Sequence, residues 1–142
     1  MTADAAREEI VDEDALLRRI PDQRGNMWTR KNGRLRPSSA ALKPSDSAAG
    51  LSVNVRRLLP NPSDPASALG KRMDDGLVEF PAAVPRAAGL DVMHAPLPDR
   101  YSRANVIGWA QLDKPAAKRI QRELALRAAW VKHPASAASG AA

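Results

Sequence analysis

Apolar and polar residues alternate along several short stretches of the chain. The alternation is clearest over residues 51–55 and 90–94, and residues 15–20, 76–80 and 105–109 are short, mainly apolar runs. Successive side chains of a strand point to opposite faces of its sheet, so these stretches predict short β-strands.

Two further strands are predicted around the dipeptide Asn32-Gly33. The dipeptide separates residues 27–31 from residues 34–36. Both central residues of a two-residue hairpin turn need positive φ, which Asn and Gly tolerate best. The sequence therefore predicts a tight β-hairpin here.

Near its C-terminal end the chain changes to helical spacing. Pro115 suits a first helical turn that Asp113 or Lys114 would cap. The apolar positions that follow recur every three or four residues and would form one buried stripe: Ala117, Ile120, Leu124, Ala128 and Val131. The spacing predicts one helix over residues 115–132, ending before Pro134.

These elements predict an α+β fold of short strands packed by one C-terminal helix, with long Pro-rich loops. We expect a single domain over residues 15–133. Residues 1–14 are expected to be an acidic flexible leader, and residues 134–142 a disordered Ala/Ser tail.

The amino-acid composition excludes several kinds of functional site. The 142 residues include no cysteine and two histidines, so a disulfide framework, a thiolate metal site and a cysteine nucleophile are excluded, and we predict no metal and no cofactor. No apolar stretch is long enough to cross a membrane, and the acidic start is unlike a signal peptide. These features predict a cytoplasmic protein, without fixing its oligomeric state.

Charge is distributed unevenly around the net value of +6. Residues 1–15 carry six acids and one arginine, whereas residues 16–60 carry ten bases and two acids, and residues 114–132 carry six bases and one acid. Two basic blocks indicate a polyanionic partner such as nucleic acid, or the acidic face of another protein.

The predicted hairpin concentrates this charge. Arg30, Lys31, Arg34 and Arg36 surround its turn, with Trp28 just upstream. Such a ribbon can follow a phosphate backbone while an aromatic ring stacks on a base, with Trp28 or Tyr101 as the candidate ring. Lys118 and Arg122 on the predicted helix would extend the surface. The competing interpretation is that these cations are only solvated and that Trp28 belongs to the core.

An enzymatic alternative rests on residue order. Arg18 or Arg19, the pair Ser38-Ser39 and Glu79 resemble, in order only, the Arg, Ser-x-Ser and Glu of ADP-ribosyltransferase-type domains. The serines are adjacent here, which departs from that pattern, and no aromatic residue for stacking on nicotinamide is evident.

A second resemblance involves three segments. Arg19-Ile20-Pro21, Arg36-Pro37-Ser38-Ser39-Ala40 and Leu51-Ser52-Val53 resemble a group of small bacterial proteins with no established activity. The resemblance implies a domain that starts near residue 15 and implies no function.

The sequence thus favours a small binding protein that contacts nucleic acid or another polyanion through its basic hairpin. A nucleotide-handling or ADP-ribosyltransferase-like enzyme is the first alternative. A protein-interaction adaptor or antitoxin-like partner is the second.

Overall fold

Eight strands form two antiparallel sheets in the computed structural model, which describes residues 7–45 and 49–139. The larger sheet has six strands in the order β6-β7-β4-β1-β5-β8, and β2 and β3 form a separate hairpin. In chain order the strands are β1 (Ala15–Ile20), β2 (Trp28–Lys31), β3 (Arg34–Pro37), β4 (Leu51–Val55), β5 (Gly76–Pro81), β6 (Asp91–His94), β7 (Arg103–Ile107) and β8 (Ala129–Lys132). A strand is present at each predicted stretch and on both sides of the Asn-Gly turn, but the strand predicted over residues 105–109 lies two residues earlier, as β7, and Trp109 begins a 3₁₀ segment.

Three helices accompany the sheets. They are α1 (Ala83–Ala87), α2 (Lys114–Arg127) and α3 (Ala135–Ser139), and short 3₁₀ segments lie in the connections. The predicted α+β class is confirmed: α2 is the one long helix, and it packs on the sheet through Ile120 and Leu124.

The C-terminal helix is shorter than predicted. Its start is confirmed, because Asp113 Oδ1 accepts a hydrogen bond from the Ala116 N–H at 2.8 Å and Pro115 lies in the first turn. The predicted end of the helix is wrong, because α2 stops at Arg127 and the following residues form β8, which pairs with β5. Pairing satisfies the backbone of β5 along that edge, so Val131 lies on a strand and not on the helix stripe.

Side chains alternate between the two faces of the six-stranded sheet, and the two faces differ. The main core lies on one face, where side chains from β1, β4, β5 and β7 meet α2 and the inner side of the hairpin. A second, smaller cluster lies on the other face and consists of Leu17, Leu59, Leu69 and Leu77. The apolar residues Leu16 and Leu17 therefore serve different clusters, as strand alternation requires.

The acidic N-terminal segment departs from the expected loose leader over residues 7–14. Ile10 is 3% exposed and belongs to the main core. The carbonyls of Asp12 and Asp14 accept hydrogen bonds from the backbone that begins α1. Asp14 is buried and pairs with Arg57, with 2.7 Å between Oδ1 and Nε. One buried apolar side chain and these polar contacts hold the segment in place; residues 1–6 lie outside the described part of the chain.

The C-terminal segment also departs from the expected disordered tail, as far as residue 139. Its residues 135–139 form α3, and the side chain of Ala137 is buried in the main core. Ser136 donates through its backbone and its hydroxyl to Asp22, and the Ala135 N–H donates to the Asp74 carbonyl at 2.8 Å. Residues 140–142 lie outside the described part.

Within residues 7–45 and 49–139, no helix combines the length and the apolar character needed to cross a bilayer.

Candidate nucleic-acid interface

The hairpin turn has the backbone geometry that its sequence predicts. Asn32 and Gly33 have φ values of 52° and 76°, as both central residues of a tight two-residue turn require. The register pairs Lys31 with Arg34, Arg30 with Leu35, and Thr29 with Arg36. The turn thereby fixes which side chains share a face.

Three of the four hairpin cations lie on the outward face. Directly paired residues project to the same side of a two-stranded ribbon, and neighbouring pairs project to opposite sides. Lys31, Arg34 and Arg36 are exposed and share one side with Thr29. We call Lys31, Arg34 and Arg36 the hairpin face.

Arg30 lies on the inward side of the hairpin and has a structural contact. It is partly buried beside Leu35, and its Nη2 donates to the carbonyl of Ala137 in α3 at 2.9 Å. The Trp130 indole N–H donates to the Leu35 carbonyl at 3.0 Å, which joins the hairpin to β8. Arg30 therefore anchors the hairpin to the C-terminal segment and is not part of the hairpin face.

Trp28 is a core residue. It is 1% exposed, and its indole N–H donates to Asp22 Oδ1 at 3.1 Å. The guanidinium of Arg24 lies 5.8 Å from the ring centroid. No open ring face remains for a nucleic-acid base, so the structure does not support the predicted stacking role. Tyr101, the other candidate ring, lies between β6 and β7, at the edge of the sheet opposite β8.

Asp22 connects this region to the C-terminal segment. Its carboxylate accepts hydrogen bonds from Trp28 and from the hydroxyl and backbone N–H of Ser136. Burial alone would raise the pKa of Asp22, but the hydrogen bonds from Ser136 and then Trp28 outweigh it and hold the pKa below its ordinary value.

The hairpin face carries charge that no described acid neutralises. Lys31, Arg34 and Arg36 make no ion pair with any residue in the described ranges, whereas Arg19, Arg56, Arg57, Arg86 and Arg127 all do. Lys31 and Arg34 are also directly opposite each other in the ladder. Like charges at such positions destabilise a hairpin by roughly 0.2–1 kcal/mol.

Helix α2 brings a second group of cations to the same side of the sheet. Lys118, Arg119 and Arg122 are exposed, and none forms an ion pair within the described part of the chain. Strand β3 contacts α2, and both elements pack on the main core. The hairpin face and the cations Lys118, Arg119 and Arg122 together are called the basic face below.

The structure does not bring the residues of the enzymatic alternative together in one site. Arg18 lies opposite Val78 on the main-core side, whereas Glu79 lies opposite Leu17 on the other side of the sheet. Glu79 Oε1 is instead 3.0 Å from Arg56 Nη1. A one-residue offset across an antiparallel pair places two side chains on opposite faces, so Arg18 and Glu79 do not converge on one site. Arg19, the other candidate arginine, shares the face of Glu79 but forms an ion pair with Asp75.

The serines of that alternative serve a local turn. The Ser38 hydroxyl donates to the Asn26 carbonyl at 2.6 Å, and Ser39 begins the 3₁₀ segment Ser39–Leu42. Both follow the end of β3, and neither is hydrogen-bonded to a histidine within the described part of the chain. The pair therefore stabilises the exit from the hairpin.

His94 is likewise a structural residue. It is 2% exposed; its Nδ1 accepts from the Glu8 N–H at 2.7 Å, and its Nε2 lies 2.6 Å from the Tyr101 carbonyl. Both ring nitrogens are occupied, so His94 holds the N-terminal segment to β6. Among the described residues no group of three or more His, Asp or Glu side chains is placed to hold a metal ion.

Comparison of the chain with protein-family models, with curated proteins and with solved structures found no match in any of the three.

Proposed function

We propose that this protein binds nucleic acid through the basic face, and that Lys31, Arg34 and Arg36 contact backbone phosphates. The observation that carries the proposal is the segregation of charge on the hairpin: the cation that anchors the fold points inward, and the three that lack an ion pair among described residues point outward. Placing Lys31 opposite Arg34 costs stability, and a phosphate backbone would offset that cost.

The second part of the basic face extends the contact. Lys118 and Arg122 are exposed on α2, which contacts β3, and we propose that a phosphate backbone on the hairpin face also contacts these two cations. Lysine and arginine contacts to phosphate set affinity and register without reading sequence. With Trp28 in the core, base stacking is not part of the proposal, and we expect recognition of the backbone with little sequence preference. We place this activity in the cytoplasm.

The test compares two variants that each remove two positive charges. K31S/R34S removes the directly opposed pair of the hairpin face. R7S/K71S removes two exposed cations elsewhere, on the N-terminal segment and on the loop before β5. Binding to a fluorescent DNA duplex is measured by anisotropy between about 50 and 200 mM salt, because phosphate contacts release counterions and make affinity salt-dependent.

We expect K31S/R34S to weaken binding at low salt and to lower the log–log salt slope by about 1.8, since each lost phosphate contact changes the slope by about 0.9. R7S/K71S should leave the slope nearly unchanged. Equal effects of the two variants would mean that only net charge matters, and the proposed interface would be wrong.

An acidic protein surface is the main competing partner. Absence of binding to both DNA and RNA at low salt would reject the nucleic-acid proposal and favour that partner. R30S is the control for fold damage: it removes a hairpin cation that contacts Ala137, so it should lower the melting temperature without flattening the salt slope.

A further inference from the structure

A cavity of about 350 Å³ opens where strands β1 and β4 separate. The two strands pair only through Leu16 with Val55 and Leu17 with Asn54. Beyond these pairs the cavity is lined by four arginines, Arg18, Arg19, Arg72 and Arg100, and none of its described lining residues is acidic. We call this cavity the arginine pocket.

Arg18 lies in the gap between the strands. Its Nη1 donates to the Ser52 carbonyl at 2.8 Å and its Nε donates to the Ala41 carbonyl at 3.0 Å, and both of these acceptors are neutral carbonyls. Burial, and then the neighbouring charge of Arg19, lowers the pKa of Arg18 to about 10. The side chain still carries its charge at neutral pH, and no carboxylate of the described residues forms an ion pair with it.

The other three arginines surround this fixed charge. Arg19 is paired with Asp75. Arg72 and Arg100 are exposed and make no ion pair within the described ranges. Both occupy backbone-bonded turns, because the Arg72 N–H donates to the Leu69 carbonyl and the Arg100 N–H donates to the Leu97 carbonyl. Two cations with backbones held in turns therefore line the pocket, and neither guanidinium forms an ion pair with a described residue.

The remaining lining residues offer a polar donor and an apolar floor. The Asn54 side-chain oxygen accepts from the Ser102 hydroxyl at 2.9 Å, which leaves the amide nitrogen of Asn54 as a donor. Leu17, Leu69 and Leu77 belong to the second apolar cluster and form the floor. An apolar floor with a few convergent polar groups is typical of small-molecule sites, and the volume lies within their usual range of about 300–1,000 Å³.

We propose that the arginine pocket binds a small organic phosphate. Arg72 and Arg100 would hold the phosphate, because guanidinium groups match phosphate oxygens in a bidentate manner. The leucine floor would contact the apolar body of the ligand, and Asn54 would donate to an oxygen. The leucine floor belongs to the second apolar cluster, on the face of the sheet opposite the main core, and Arg18 borders the pocket from the main-core side through the gap between β1 and β4. None of the lining residues belongs to the basic face, so this site is separate from the nucleic-acid interface.

The test uses three probes that divide the ligand into its parts: phenyl phosphate, inorganic phosphate and phenol. Binding to the full chain is measured by calorimetry at low salt. We expect phenyl phosphate to bind more tightly than inorganic phosphate and phenol to show no binding. The variant R72S/R100S should weaken phenyl phosphate binding by about tenfold or more, as loss of charged hydrogen bonds predicts. R72K/R100K should recover part of the affinity, since lysine keeps the charge but not the bidentate geometry.

K31S/R34S is the matched control, because it removes two cations of the basic face and should leave phenyl phosphate binding unchanged. This control also separates the two proposals: loss of DNA binding in K31S/R34S alone and loss of phenyl phosphate binding in R72S/R100S alone would support both. Equal affinity for phenyl phosphate and inorganic phosphate would overturn the organic ligand. Unaltered binding in R72S/R100S, or no binding of any probe at millimolar concentration, would overturn the pocket itself.

Discussion

Removing the side chain of Ile10 tests whether the N-terminal segment is part of the fold. Ile10 is 3% exposed in the main core, so the side-chain atoms that Ile10→Ala removes are almost completely buried. Replacing a buried isoleucine by alanine lowers the free energy of unfolding by about 2–5 kcal/mol, depending on how far the surrounding residues can close the cavity. A segment near the chain terminus can relax, so we expect the lower part of that range, about 2–3 kcal/mol.

The assay is thermal or urea unfolding followed by circular dichroism, with Val11→Ala as the neighbouring control. Val11 is 42% exposed, so its truncation should change stability by less than about 0.5 kcal/mol. For a chain of this length about 1 kcal/mol corresponds to roughly 3–4 °C, so Ile10→Ala should melt roughly 6–12 °C below the parent protein.

An unchanged melting temperature for Ile10→Ala would refute the docking of this segment, and an equal loss in both variants would refute the difference in burial. A chain that lacks residues 1–12 provides a second test of whether the N-terminal segment stabilises the fold. It loses Ile10 and the contact of Glu8 with Arg57, so it should be at least as unstable as Ile10→Ala.

Three further outcomes follow from burial, backbone conformation and protonation. Leu124→Ala should cost about 2–5 kcal/mol by chemical unfolding and Leu126→Ala less than about 0.5, because Leu124 is fully buried and Leu126 is 64% exposed; equal losses would contradict the orientation of α2. Gly50→Ala and Gly89→Ala share a φ of +95°, but a Cβ at Gly50 would collide with a carbonyl of β7 and one at Gly89 has open space, so Gly50→Ala should be the less stable by about 1–3 kcal/mol. Because the pKa of Asp22 is lowered in the fold, its stabilisation is present above its ordinary pKa of 3.8 and is lost as pH falls through the folded value; the stability difference between the parent and Asp22→Asn should therefore be constant near neutral pH and shrink below pH 3.8, and a difference that persists in acid would exclude this linkage.

The hairpin shows how far local sequence can specify a site. Asn32-Gly33 requires its own turn type, the turn fixes the register, and the register places Lys31 and Arg34 on one face. All these steps depend on neighbours in the chain, so the sequence was sufficient for them. The opposite placement of Arg30 follows from the same alternation, but its role does not, because its partner Ala137 lies 107 residues away.

The strands of the large sheet were predictable as elements but not as neighbours. Alternation identifies β4 locally and short apolar runs identify β1 and β5, whereas the order of these strands depends on which apolar faces can be buried together. The end of α2 is a related case. Residues 129–132 continue the helical spacing, but the open edge of β5 pairs with them as β8. A tertiary hydrogen-bond ladder overrides a local preference, and spacing alone does not report it.

The sequence by itself determined the class of the fold, the hairpin with its exposed charge, and the start of α2, because turn chemistry, capping and periodicity act over a few residues. Only the tertiary structure decided that Trp28 is buried, that residues 7–14 dock through Ile10, and that Arg72 and Arg100 meet Arg18 at one pocket. Each of these depends on segments far apart in the chain. The free energy that joins such segments comes from burying shared surface and pairing distant charges, and no local pattern of residues records it.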